Sequence, residues 1–405
     1  SDLVEQKILF FVDYLYMTTI WAFIILLGVL ITIHEYGHFM AARSVGVKVE
    51  RFSIGMPPRF ITIESVQDGF LLKIFFFKHA EGSLRWLPII EKHIQKEGRV
   101  GSGTEYVIAL LPLGGYVKMA GMIDENMDHQ INYEKDEFMS QPLWGKVWIL
   151  SAGVIMNTIL AFIIFASLGY YQGTADIVDE PIVRETIAEY PAELGGIASG
   201  DRITKLDGYS INTWNELTDL VKNRPNTEVD LVIERNGETF KRTIRTTTSI
   251  VPLDGAIDTV GVLGIYPEMV YASVTPFEAV SIGWSRTLGS FVMIIESLRM
   301  IGSGEASVKD LGGPIMIAQL AGQTAEAGMI PFFTFMALLS VNLAFLNILP
   351  IPGLDGGHIF IHLVESLIRR PLTLKTRIVI QQVGMAFLLM LMVTIIFQDI
   401  TRLFN

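Results

Sequence analysis

Four long runs without Asp, Glu, Lys or Arg frame this chain. They are Tyr14–His34, Val147–Ala175, Ala327–Leu354 and Ile378–Gln398, of 21, 29, 28 and 21 residues. An α-helix rises about 1.5 Å per residue and a bilayer core is about 30 Å thick, so each run is long enough to cross it. A fifth apolar segment, 276–301, is interrupted by Glu278, Arg286, Glu296 and Arg299. That pattern predicts an amphipathic helix on the membrane surface, inside a linker over 266–326.

Between the runs the period shortens. Residues 44–146 hold a turn-rich stretch, Phe52–Pro58, an apolar run, Phe70–Phe77, and a charged stretch, Glu91–Arg99. Then Tyr106–Leu111 and Tyr116–Met119 flank Pro112-Leu113-Gly114-Gly115, which predicts a hairpin over Glu105–Met119. Its strands are apolar enough for part of it to enter the membrane. Residues 65–100 read as an insertion ahead of it. In 176–265 the short runs Val229–Ile233 and Phe240–Thr246 flank Asn236-Gly237, and a helix reads over Trp214–Lys222.

The predicted fold is therefore a polytopic α-helical membrane protein with four transmembrane helices, a membrane-associated β-hairpin or sheet region, and one small β-rich α+β domain. The expected segments are 1–43, 44–146, 147–175, 176–265, 266–326, 327–358, 359–377 and 378–405.

Charge orients these elements. Arg369, Arg370, Lys375 and Arg377 stand against Glu365 between the third and fourth runs, which predicts a cytoplasmic loop. Arg43, Lys48 and Arg51 follow the first run, whereas Asp2, Glu5 and Asp13 precede it. Region 176–326 carries 12 basic and 22 acidic residues, which fits an outside location. The net charge of −11 argues against a nucleic-acid partner. Without cysteine, thiolate metal sites and cysteine nucleophiles are excluded.

The chemistry sits at the end of the first run, in His34-Glu35-Tyr36-Gly37-His38. Two histidines four apart share one helix face and can grip one metal ion, with Glu35 beside them as a general base. Ionisable groups inside a bilayer are costly and mark function. Catalytic zinc takes three protein ligands and keeps one open position. Asp355, at the matching depth in Asn347–His358, is the expected third ligand. His358 and His362 are rival ligands, and Asp355 has the alternative role of turning the chain before Gly356-Gly357. Pro350 and Pro352 break the helix there. Asn347 faces the site and suits substrate backbone or a developing oxyanion. Gly114, Gly115, Tyr116 and Val117 suit strand addition by an unwound substrate. Asn157 is either a substrate contact or an interhelical hydrogen bonder. His79, His93 and His129 read as solvated.

These elements, with Gly153-Val154-Ile155-Met156-Asn157, Leu311-Gly312-Gly313-Pro314 and a PDZ-like stretch at Pro191–Ile203 and Leu206–Gly208, follow one another in a recognisable order. The chain resembles the site-2 protease family of intramembrane zinc metalloproteases, in its bacterial regulator-of-sigma-E protease branch. That resemblance implies one zinc per chain and regulated cleavage of single-span membrane proteins such as anti-sigma factors and remnant signal peptides. It also implies residence in the bacterial inner membrane, an extracytoplasmic PDZ-like domain that filters substrates by size, and an active site toward the cytoplasm. The chain departs from the branch pattern in having one PDZ-like stretch, Gly55-Met56-Pro57-Pro58 for Gly-Phe-Gly-Pro, and Gly153-Val154 for Gly-Pro. Two other classes use comparable residues. A transporter or metal or proton pathway would want an inverted repeat, which is not seen. A catalytically inactive PDZ receptor would not need Glu35.

Overall fold

The computed structural model describes residues 2–80, 83–122, 133–253, 256–305 and 312–403. His129 and Leu311 lie outside them. The described chain divides into two units, one of residues 1–168 and 280–405 and one of residues 169–279.

In the first unit, α1 (Asp2–Ser44) carries the histidine motif. It is followed by β1 (Val49–Val66), β2 (Gly69–Ala80), β3 (Ser83–Gln95) and β4 (Glu105–Met119), then by α2 (Leu143–Gln172). β1 and β4 each double back and interleave. The first half of β4 pairs with the second half of β1 (Glu105↔Glu64, Ile108↔Ile61). On its other side it meets the first half of β1 (Tyr106↔Phe52, Val107↔Ser53). The second half of β4 then pairs outside that first half (Val117↔Phe52, Met119↔Val49). The halves of β4 are thus separated by a run of β1, which corrects the expected local hairpin over Glu105–Met119. Gly115–Met119 becomes the edge of the sheet. The expected insertion, 65–100, forms part of the same sheet. β2 continues the sheet from β1 (Ile61↔Ile74) and β3 closes its far edge. His79 and His93 stand exposed on these strands rather than in loops.

The second unit begins at the end of α2 and holds β5 (Thr174–Ile177), β6 (Val183–Thr186), α3 (Pro191–Leu194), β7 (Arg202–Leu206), β8 (Tyr209–Ser210), α4 (Trp214–Lys222), β9 (Glu228–Arg235), β10 (Glu238–Arg245), β11 (Thr247–Leu253), β12 (Ala256–Val262), β13 (Ile265–Pro267) and β14 (Met269–Ala272). A sheet ordered β10-β9-β7-β8 packs under α4. Alternate residues of β9, Val229, Leu231 and Ile233, are fully buried with Ile203, Leu206 and Leu217. Asn236 and Gly237 both take positive φ, 53° and 83°, as a two-residue hairpin turn demands. Thr213 and Glu216 close a capping box on α4.

The chain then returns to the first unit through α5 (Pro276–Ser303), α6 (Pro314–Ala327), α7 (Met329–Ile348), α8 (Asp355–Ile368) and α9 (Leu374–Leu403). Among the described residues four helical segments are long and apolar enough to cross a membrane: Met17–Ser44, Leu143–Gln172, Met329–Ile348 and Leu374–Arg402. α5 is not one of them, and its exposed positions mix Ser285, Arg286 and Glu296 with apolar side chains. Its small residues Gly283, Thr287 and Ser290 form the inner seam, with Gly283 against Ala166 of α2. Phe291 and Ile294 join a core with Ala161, Phe165, Ala337 and Val341. Its outer face still carries Trp284, Leu288, Val292 and Met293. α7 stops at Ile348, ahead of Pro350 and Pro352, and a new helix starts at Asp355.

Candidate active site

The site is built where α1, α2, α7 and α8 converge. His34 and His38 are one turn apart on α1 and both buried. Asp355 opens α8, placed there by the break after Ile348 and the tight turn through Gly353, where φ is 102°. Its Oδ2 lies 3.1 Å from His34 Nε2 and 3.3 Å from His38 Nε2, and the two Nε2 atoms are 3.2 Å apart.

The rear nitrogens decide what those three atoms carry. His38 Nδ1 donates to the Ile149 carbonyl at 2.8 Å, so its Nε2 offers a lone pair. His34 Nδ1 is 3.3 Å from the Asn157 amide, which is fully buried and whose Oδ1 has no other partner. With that amide turned so that Oδ1 accepts from the His34 Nδ1–H, His34 Nε2 offers a lone pair too. Asn157 is itself tied to α7, since Ser340 Oγ donates to its carbonyl at 2.7 Å. Three lone-pair atoms then face one another, and Asp355 Oδ2 is buried without a hydrogen bond. Such a set is repulsive unless a cation lies between. Zinc bonds of about 2.0–2.2 Å at tetrahedral angles separate ligands by about 3.3–3.5 Å, close to the spacing seen. The group fits zinc.

Glu35 is half-buried beside them, and the Val117 N–H donates to its carboxylate. Its Cγ would lie 3.5 Å from a Cβ on Gly115. The outer backbone of the sheet edge therefore runs directly past Glu35.

The sequence matches the model of peptidase family M50 over residues 22–83 and 92–391, which include all four of these side chains. The chain belongs to peptidase family M50. The zinc metalloprotease RasP of Oceanobacillus iheyensis is 30% identical over 437 residues, covering 96% of this chain and 100% of that one. The regulator of sigma-W protease RasP of Bacillus subtilis is 26% identical over 465 residues, again covering 96% and 100%. Among solved structures, the PDZ domain of an SdrC-like protein from Listeria monocytogenes covers 23% of this chain and 93% of its own, at 18% identity and a TM-score of 0.19.

This M50 peptidase is a zinc metalloprotease, and its histidines are packed through glycine. A Cβ on Gly153 of α2 would stand 2.5 Å from His34 Cε1 and 2.6 Å from His38 Nε2. Gly37 likewise lets the Ala152 carbonyl of α2 approach α1. Gly153 is a residue that sequence reasoning missed as part of the site. Its one signal is the spacing Gly153–Asn157, one turn apart on the face that meets α1. Ile149 acts through a carbonyl and left no signal at all.

The remaining predicted residues fall into two groups. Gly114 and Gly115 are buried at the sheet edge, near Ile31, Met56 and Glu35, and the φ of 123° at Gly114 favours glycine. Tyr116 accepts a hydrogen bond from Arg51 at 3.3 Å, and the side chain of Val117 packs inward. Asn347 is half-buried in the last turn of α7, its amide unbonded among the described residues. Asn157 differs from the substrate contact expected of it, because burial behind His34 leaves it no face to a substrate. The rival ligands point away. His358 lines a separate small cavity with Met122, Phe138 and Arg377, and His362 bonds Glu365 at 3.1 Å.

Proposed function

We propose that His34, His38 and Asp355 hold the zinc ion, that Glu35 is the general base, and that the substrate is a single-span membrane segment. The supporting observation is the trio of lone-pair atoms within 3.1–3.3 Å of one another, with Glu35 at the adjoining sheet edge. Zinc in that position would supply Lewis acidity to the scissile carbonyl and to water. Glu35 accepts the proton of the attacking water and passes one to the leaving amine. The amide of Asn347 donates to substrate backbone or to the developing oxyanion.

A transmembrane helix hides its amides in its own hydrogen bonds. The substrate must therefore unwind, and Gly115–Val117 at the sheet edge would hold it as an added strand. Gly114 and Gly115 keep side chains out of its path. Asn157 serves by orienting His34. The sigma-W regulator among the relatives supports anti-sigma factors as one substrate class, and remnant signal peptides share the required form. The basic flank at Arg369, Arg370, Lys375 and Arg377 supports an active site toward the cytoplasm. The PDZ-like unit then lies outside, where it limits access by bulky ectodomains.

Cleavage in proteoliposomes tests the unwinding step. A single-span substrate with two core leucines replaced by glycine is expected to be cut faster than its parent, since each glycine weakens a helix by about 1 kcal/mol. Equal rates for the two would remove the unwinding requirement.

A further inference from the structure

At the end of α8 away from Asp355, a second cavity of about 370 Å³ opens between the first turns of α2 and α9. Lys146 of α2, Arg369 and Arg370 at the end of α8, and Arg377 of α9 all line it. The one carboxylate among its lining residues, Glu365, is already saturated. Arg377 grips both of its oxygens at 2.6 and 2.7 Å, the Leu372 N–H donates at 2.7 Å, and His362 Nδ1 lies at 3.1 Å. Lys146, Arg369 and Arg370 form no ion pair with any described residue. Burial and then the charges of Arg377 and Lys146 hold the His362 imidazole below its ordinary pKa, even with Glu365 beside it.

The cavity also lies at a marked depth. Trp144 and Trp148, in the first two turns of α2, are exposed, as are Leu367 and Leu374. Exposed tryptophan at the end of a membrane helix marks the headgroup layer. Unpaired cations in a pocket at that depth suit a phosphate that arrives with its own acyl chains.

We propose that this cavity binds the phosphate of an anionic phospholipid, with Lys146, Arg369 and Arg370 as its donors and the acyl chains beside the start of α2. The proposal rests on reading α2 and α9 as membrane helices. It does not depend on the zinc site.

Native mass spectrometry of the full detergent-purified chain tests it, with phosphatidylglycerol and phosphatidylcholine of matched acyl chains as probes. The variant K146Q/R369Q/R370Q is compared with wild type and with K78Q/K92Q/K96Q, which removes three exposed lysines elsewhere. Zinc content and melting temperature establish that each variant is folded. Wild type and the lysine control are expected to hold one phosphatidylglycerol in preference to phosphatidylcholine. The cavity variant should bind it about a hundredfold more weakly, or about 3 kcal/mol at 1.4 kcal/mol per tenfold. Equal retention by the cavity variant would overturn the proposal, as would an equal loss in the lysine control. Displacement of the lipid by an equal concentration of inorganic phosphate would also overturn it, and would leave a free-anion site.

Discussion

Glu35→Gln is expected to lower peptide cleavage by about 10²–10⁴-fold, the range a positioned general base contributes, while zinc content stays at the wild-type level. The substitution keeps the size of the side chain and removes its basicity. Glu35 lies outside the trio of ligand atoms, so the metal site has no reason to open. Its carboxylate instead meets the Val117 N–H at the sheet edge, where a strand-bound substrate would present its scissile bond. A Glu35→Gln protein that lost its zinc along with its activity would make Glu35 part of the metal site, contrary to the geometry.

Gly153→Ala should be nearly as damaging although it adds one methyl group. That methyl would stand 2.5–2.7 Å from His34 Cε1, His34 Nδ1 and His38 Nε2, inside any real contact distance. Both rings must move or the helices must part. A shift of about 1 Å in a catalytic group costs roughly 10²-fold, and disturbed support of a ligand lowers metal affinity about 10–100-fold. Zinc content and activity are therefore expected to fall together. Gly145→Ala, on the same helix, meets nothing closer than 3.4 Å and should leave both unchanged. Wild-type zinc content in Gly153→Ala would show that α2 has more freedom beside the histidines than the packing allows.

The site was legible in the sequence wherever its geometry is local. His34 and His38 are fixed by helical spacing, and the break that presents Asp355 is written in Pro350 and Pro352. Residues 105–119 misled because their pairing is not local. Tyr106 pairs with both Phe52 and Ile63, and no turn signal near Tyr106 specifies either partner. Strand register of that kind is set by burial across the sheet, which also drew 69–95 into the same sheet. α5 packs through a seam of small residues, which carry little hydropathy signal. Asn157 was visible as a polar residue in an apolar run, but only packing against His34 distinguishes an orienting amide from a substrate contact.

The zinc content of the detergent-purified protein, measured for wild type, Asp355→Ala and His358→Ala alongside cleavage of a single-span substrate, tests the central claim most directly. Zinc and cleavage are expected in wild type and His358→Ala, and loss of both in Asp355→Ala. Full zinc and activity in Asp355→Ala, with loss in His358→Ala, would contradict it.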